Sequence, residues 1–467
     1  MDKQMNKIVT VKIIFMILIL FCINMGQTEA QNLLKVKAKA KPDSEWKDYE
    51  TRTTDNIAGL LKTTKPTEDE FGGRMDKAAE ATGYFYSKKI NDRWWIIDPD
   101  GNKYIAKGVV TVKPGTSEKQ IELVKKKFGT VQNWLDETSN LLSNYGFNGT
   151  GNWSDADLLI QSKIPLTYTR SINFMSSYGK IRGGTFQQPG HTGYPDDLIF
   201  VFDPNFESFC DKEAEKASQY KNEKRLLGYF SDNELPFPDN ALDRYLKLDK
   251  KDYGYQAAEK WLIENKGNSA NQNELTNDDR EKFLEYMSSR YFELVSKALK
   301  KYDPNHMYLG CRFYGHSLKE KSLFESAGKY LDIISVNYYN VWTPKAETMD
   351  NWSKWSGRPV IITEWYAKGE DSGMANETGA GWIVHTQKDR GLFYQNFALA
   401  LLQSKVCVGW HWFKYQDNDP DDNREASNLN SNKGIINNNF EPYTELMEEM
   451  KKVNIQVYSI IDCFDKQ

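Results

Sequence analysis

The sequence predicts an α/β chain of the (β/α)8 TIM barrel class, entered through an N-terminal hairpin and carrying an insertion after strand four. Three observations carry that reading. Short apolar runs alternate with longer segments of helical character, the pattern of repeated βα units. The runs number eight, which favours a closed barrel over an open doubly wound sheet. Chain length agrees: without its first 30 residues the chain keeps about 435, more than an average domain but within what such barrels use with insertions.

The elements follow in order. Residues 1–30 read as a signal peptide: Lys3, Lys7 and Lys12 precede or open an apolar stretch at 13–23, and small Thr28 and Ala30 come before Gln31. The apolar stretch is far short of the roughly 20 residues that span a bilayer, so no stable membrane insertion is expected. Cys22 is the alternative, a lipid attachment site, but Phe21 is large where such sites need a small residue. The mature chain is therefore expected to be exported, periplasmic or extracellular. Residues 31–80, rich in Lys, Thr, Asp and Glu, read as a polar leader or tether. Residues 83–101 alternate polar and apolar around Asn91-Asp92, a hairpin. The barrel is placed at 81–455 and a tail at 456–467.

Barrel strands are predicted at 104–112, 147–153, 166–174, 226–235, 307–314, 333–339, 360–366 and 406–413. Helices are predicted at 130–145, 205–221, 278–301, 319–329 and 387–404. Residues 236–277 exceed a normal βα loop and mark the insertion, on the face formed by the loops that follow strands.

Composition narrows the function. Net charge is −4, and −5 once the three Lys and two acids of residues 1–30 are removed; with no basic block, nucleic acid is excluded as a partner. The chain holds 13 Trp, 26 Tyr and 23 Phe, rings from which sugar-binding clefts are built, although most must serve the core. Four Cys remain after residue 30, Cys210, Cys311, Cys407 and Cys463, without a CxxC spacing, and the five His are scattered. Neither a metal nor a cofactor is expected; a bridge between Cys210 and Cys463 stays open. The acidic run Asp417, Asp419, Asp421 and Asp422 matches no complete calcium loop and reads as solvated.

In a barrel, reactive side chains come from the C-terminal ends of strands, so a polar residue that ends an apolar run is informative. Strand four, LLGYF, ends in Ser231-Asp232-Asn233-Glu234, and strand seven, VIIT, ends in Glu364-Trp365-Tyr366. A lone Glu there is usually a surface residue. Two, on strands that face each other across a small barrel, match the paired carboxyl groups of glycoside hydrolysis, one to protonate the departing oxygen and one to attack the anomeric carbon or activate water.

These motifs resemble the catalytic signature of glycoside hydrolase clan A. More narrowly, GYFYSKKINDRWWIIDPDG, GYFSDNEL, ITEWYAKGEDSGMANETGAGWIVHTQKDRGLFYQNFALAL and GWHWFKYQDNDP resemble β-agarases of glycoside hydrolase family 50, over most of residues 83–450. The resemblance implies that Glu234 is the acid/base and Glu364 the nucleophile of a retaining enzyme acting on a β-linked galactan. It also implies that Asn233 contacts the sugar 2-hydroxyl and that Tyr338 holds the nucleophile; Tyr339 points to the opposite strand face, so that choice rests on register. Such agarases commonly carry a sizeable domain before the barrel, where this chain has the short segment 31–80.

Further candidates end other strands. His316 follows strand five, where clan A enzymes place a sugar-contacting His; the alternative is a loop His. Asn152 and Trp153 end strand two. Trp410 and Trp412 share one face of strand eight and fit a platform under a sugar, or barrel packing. His411 and Lys414 are weaker polar candidates. Rival readings are a β-galactosidase, a porphyranase-like enzyme, a mannanase, or a glycan-binding barrel that does not cleave. Oligomeric state is not legible.

Overall fold

The computed structural model describes residues 33–115, 117–188, 190–267, 274–420 and 429–466. The expected signal peptide with Cys22, together with Asp421 and Asp422, lies outside the described residues.

Eight parallel strands form the barrel: β1 (Ala106–Val109), β2 (Gly149–Thr150), β3 (Thr167–Ser171), β4 (Leu226–Phe230), β5 (Met307–Gly310), β6 (Ile334–Asn337), β7 (Val360–Glu364) and β8 (Cys407–Trp412). Each falls inside a predicted run. Neighbours pair in sequence order, and β8 returns to β1 with Gly409 opposite Ala106. The seam between β5 and β6 is closed beyond the end of β5, where Phe313 N donates to Ser335 O and Asn337 N donates to Phe313 O, both at 2.9 Å. Strands such as β7 are buried on both faces, which is why their sequences are unbroken apolar runs and not alternating ones.

The predicted helices appear at Val131–Asn144, Phe206–Ala214, Asn277–Tyr302, Lys321–Gly328 and Gln387–Gln403. Thr276 and Thr386 cap the two longest, each accepting from the backbone N–H three residues on, with an Asp side chain returning the bond. Helices Ala346–Ser356 and Glu118–Phe128 were not anticipated. The insertion after β4 contributes helices Ala241–Tyr245 and Tyr253–Lys266.

The entry hairpin pairs Tyr86–Ile90 with Arg93–Ile97, with Asn91 at φ 54° in the turn, and Lys103–Tyr104 adds a third strand. It plugs the lower end of the barrel. Phe85, Ile96 and Tyr104 pack with Leu227, Phe230, Leu309, Ile361 and Val408 in one apolar cluster.

Two terminal segments differ from expectation. Within the stretch read as a polar leader or tether, Leu34–Lys39 and Lys47–Thr51 form strands, and the first pairs with Trp382–Val384 beyond β7. The signal was a period of two: Val36 and Ala38 are buried while the alternating Lys35 and Lys37 are exposed. The stretch read as a tail contains helix Val457–Asp465, which buries Ile460, Ile461 and Phe464 and pairs Asp465 with Arg93 at 2.6 Å. Its apolar residues recur at helical spacing, which the brevity of the segment concealed.

Candidate active site

Two irregularities in strand pairing turn the side chains at the top of the barrel. On β6 and β7, Val336 pairs with Ile362 but Asn337 pairs with Glu364, so two residues of β7 stand opposite one of β6. That bulge moves Glu364 off the helix-facing row of Val360 and Ile362 and into the row of Asn337. On β7 and β8, Val360 pairs with Cys407 and Ile362 with Trp410, an extra residue on β8 beside Gly409. From there His411 faces inward, its ring against Gly108 and Gly151, while Trp410 and Trp412 face outward.

Glu364 is almost fully buried and is held on both oxygens. Arg312 Nη2 donates to Oε1 at 2.5 Å and Tyr339 Oη donates to Oε2 at 2.7 Å. Burial raises its pKa to about 7; the Arg312 charge opposes this, the facing Glu234 adds to it, and Tyr339 and Lys433 oppose it. Arg312 comes from the end of β5, itself fully buried, with its guanidinium 4.5 Å from the Trp153 ring centre and 5.6 Å from that of Phe230. Below it His411 is also buried, and burial followed by the Arg312 charge lowers its pKa to about 3, so it is neutral.

Glu234 lies beyond β4, its backbone still tied to the neighbouring strand through a 2.9 Å bond from its N–H to Cys311 O. Its φ of 51° is a left-handed conformation that a non-glycine residue adopts at a cost of about 1–3 kcal/mol. Asn337 Nδ2 donates to Oε1 at 2.7 Å, and His191 Nδ1 lies 3.1 Å from Oε2. The preceding Asp232 is buried and accepts from Met175 N, Ser176 N, Ser176 Oγ and Tyr291 Oη, which clamps the end of β4 to the helix Met175–Arg182. Desolvation still raises its pKa to about 6.

An arc of rings borders the pair. Tyr314 and Tyr339 are 5.9 Å apart centre to centre, Tyr339 and Tyr366 5.6 Å, Tyr366 and Phe413 5.8 Å, and Phe413 and Trp153 6.2 Å. Lys433 Nζ lies 5.1 Å from the Tyr366 ring centre and 5.3 Å from that of Phe413. A buried carboxylate held by a cation, facing a second carboxyl group among rings, is chemically suited to acid-assisted displacement at a sugar.

The sequence-predicted residues divide. Glu234 and Glu364 come together through Asn337, which donates to Glu234 and accepts from Thr363 Oγ1 at 2.8 Å. Asn233 sits beside them, its amide donating to Gly190 O at 3.3 Å. Trp153 presents an exposed ring over Arg312. Asn152 is buried beneath, accepting from Ser171 Oγ.

Three expectations are corrected. Tyr338 does not hold Glu364: it shares the helix-facing side of β6 with Val336 and packs on Trp352 and Phe397, and the phenol at Glu364 belongs to Tyr339. Trp410 and Trp412 have no exposed surface; their indoles donate to Tyr394 Oη at 2.7 Å and Lys433 O at 3.1 Å, so neither is a sugar platform. His316, exposed in the short helix Gly315–Lys319, stays a candidate for sugar contact. Asp417 is not solvated but buried, accepting from Asn432, Gly434 N and Tyr443.

Cys210 and Cys463 are both free and buried. Among the described residues no cluster of His, Cys, Asp and Glu is arranged for a metal, and no helix is long and apolar enough to cross a membrane.

Sequence reasoning missed Asn337, Tyr339 as the phenol, Arg312, Lys433 and His191. Arg312 follows β5 in GCRFY and could have been found as a charge ending an apolar run; Lys433 lies in a loop and His191 in a short hairpin outside the βα repeat, neither with such a signal.

No family model matches the chain. It is 26% identical to Beta-agarase B of Vibrio sp. (strain JT0107) over 530 residues, covering 89% of this chain and 54% of that protein, so the chain spans about half the length of that curated relative. The structure of an exo-beta-agarase shares the fold at TM-score 0.69 and 22% identity, over 87% of this chain and 70% of that one. The crystal structure of BpGH50 matches at TM-score 0.81 and 30% identity, over 93% of this chain and 96% of that one. Identity of that order across nearly the whole of both chains goes beyond a shared architecture: the chain belongs to glycoside hydrolase family 50.

Proposed function

We propose that the protein is an exported, retaining glycoside hydrolase that cleaves a β-linked galactan of the agarose type, with Glu364 as nucleophile and Glu234 as acid/base. The observation that carries the reading is the unequal setting of the two carboxyl groups. Glu364 has a cation and a phenol as donors, and these favour the ionised form needed for attack against the burial that raises its pKa to about 7. Glu234 has a neutral amide on one oxygen and an imidazole beside the other, with no cation fixed on it among the described residues, as a group that serves as acid and then base requires.

In this mechanism Glu234 protonates the glycosidic oxygen as its bond to the anomeric carbon breaks, and Glu364 forms an ester to that carbon. Water then attacks, Glu234 takes its proton, and the ester breaks. In this reading Asn233 and Trp153 meet the sugar. The buried Arg312–Glu364 pair, costly to desolvate, is the feature that favours cleavage over a barrel that only binds glycan.

The test is reducing ends released by the purified full chain from agarose, porphyran, mannan and β-glucan, with Glu364→Gln as control. Release from agarose that disappears in the variant supports the reading. Release from mannan or β-glucan alone rejects the substrate, and a fully active Glu364→Gln rejects the site.

A further inference from the structure

The hairpin Phe186–Gln188 with His191–Gly193 lies outside the βα repeat, beyond the helix that follows β3, and it meets the site at two points. Gly190 O accepts from Asn233 Nδ2 at 3.3 Å, and His191 Nδ1 lies 3.1 Å from Glu234 Oε2. The hairpin is internally packed: a Cβ on Gly193 would come within 2.4 Å of the Phe186 ring, so that ring lies directly on the second strand.

The two oxygens of Glu234 are not equivalent. Asn337 Nδ2 donates to Oε1, and the reverse orientation of that amide would set its oxygen against the carboxylate. Oε1 is thus an acceptor in either protonation state, and the mobile proton belongs on Oε2. The groups that face Glu234 are Asn337 and Tyr339 from β6, Glu364 from β7, Tyr314 from beyond β5, and His191 from the hairpin. His191 brings its Nδ1 within ion-pair distance of Oε2, at 3.1 Å, with a ring orientation in which the N–H is not aligned on that oxygen, so a small ring rotation completes the bond.

We propose that His191 is a positioning residue for the proton transfers at Glu234, its Nδ1–H donating to Oε2 whenever Glu234 is a carboxylate. The inference rests on the reading of Glu234 as acid/base. In the first half-reaction the proton leaves Oε2 for the glycosidic oxygen as the old bond breaks and the Glu364 ester forms. In the second, a water proton arrives on Oε2 as the water oxygen bonds the anomeric carbon and the ester breaks. His191 keeps its own proton throughout and stabilises the anion between the two events. The hairpin tie to Asn233 fixes the ring at that oxygen, so one loop sets both the sugar-facing amide and the proton-carrying oxygen.

The experiment measures kcat/KM against pH for the full chain on agarose oligosaccharides, in wild type, His191→Ala and His191→Asn. Without the donor Glu234 holds its proton to higher pH, so the alkaline limb of His191→Ala moves up by about one unit. The second half-reaction, which needs the carboxylate, slows by about tenfold, and covalent intermediate accumulates. Asn carries an amide nitrogen near the place of Nδ1 and returns the limb toward wild type. A uniform loss across pH with the limb unmoved, or Asn no better than Ala, makes the residue merely structural and overturns the proposal. Glu234→Ala separates the two readings: if it is as active as wild type, Glu234 is not the acid/base and both fall. If it is inactive while the His191→Ala limb stays put, the His191 proposal alone falls.

Discussion

Arg312 Nη2 and Glu364 Oε1 form a 2.5 Å ion pair at the top of the barrel, with the Arg side chain wholly and the Glu side chain almost wholly withdrawn from solvent. Removing one partner of such a pair leaves a buried charge uncompensated, at a cost of about 3–5 kcal/mol. The chain avoids that cost by protonating Glu364, and this gives the pair a pH signature.

Arg312→Met is therefore expected to move the acid limb of kcat/KM to higher pH. As the proposed nucleophile Glu364 must be ionised to attack, its pKa is already raised to about 7 chiefly by burial, and Arg312 is the largest influence opposing that rise. With Arg312 gone, the proton stays on to higher pH and activity lost on the acid side returns later. The loss should be larger below neutral pH than above it. Equal losses at all pH values would show that Arg312 does not set the charge of Glu364.

Tyr339→Phe and Tyr338→Phe should differ, although the residues are adjacent. The first removes a hydrogen bond to a carboxylate, worth about 1.5–3 kcal/mol, so kcat should fall about 10- to 100-fold. The second removes a hydroxyl on the helix side of β6 and should leave kcat within about twofold, with any effect read in thermal stability. The opposite ranking would mean that β6 has the other register in solution.

Trp153→Ala should raise KM for a galactan with little change in melting temperature, because the ring is exposed over Arg312. Trp410→Phe should do the reverse. Its indole is fully buried and donates to Tyr394, so the variant loses packing and one buried bond and melts lower at unchanged KM. Thermal unfolding and a substrate titration of both variants decide between the roles.

What could be read from the chain and what could not follows one rule. Each barrel strand was legible because burial on both faces makes a continuous apolar run, and Glu234 and Glu364 were legible because a carboxylate ends two of those runs. Which way a residue points depends on pairing register, and that is set by bulges. The extra residue in β8 sends Trp410 and Trp412 outward, and the choice between Tyr338 and Tyr339 is not legible because strand ends do not announce their phase. His191 and Lys433 reach the site from a short hairpin and a loop whose composition says nothing of their destination. The first strand, Leu34–Lys39, was hidden by its lysines, since only Val36 and Ala38 carry its apolar face.

The assignment of roles to Glu234 and Glu364 makes a stereochemical prediction. In a retaining reaction both residues act in both steps but with different tasks, so removing each should leave a different part of the chemistry open to rescue. Glu234→Ala lacks the proton donor and should stall on natural glycosides. An aryl glycoside with a good leaving group needs little protonation, so Glu364 should still form its ester. That ester waits for a base to activate water, but azide attacks without one. Azide should therefore restore turnover and yield a β-glycosyl azide after two inversions. Glu364→Ala cannot form the ester, and azide occupying the vacated space should displace the leaving group once, giving the α-azide. Proton NMR of the isolated azides distinguishes the two by the anomeric coupling. Exchange of the two configurations would reverse the roles while keeping the pair, and the absence of rescue in both variants would count against a two-step displacement at this site.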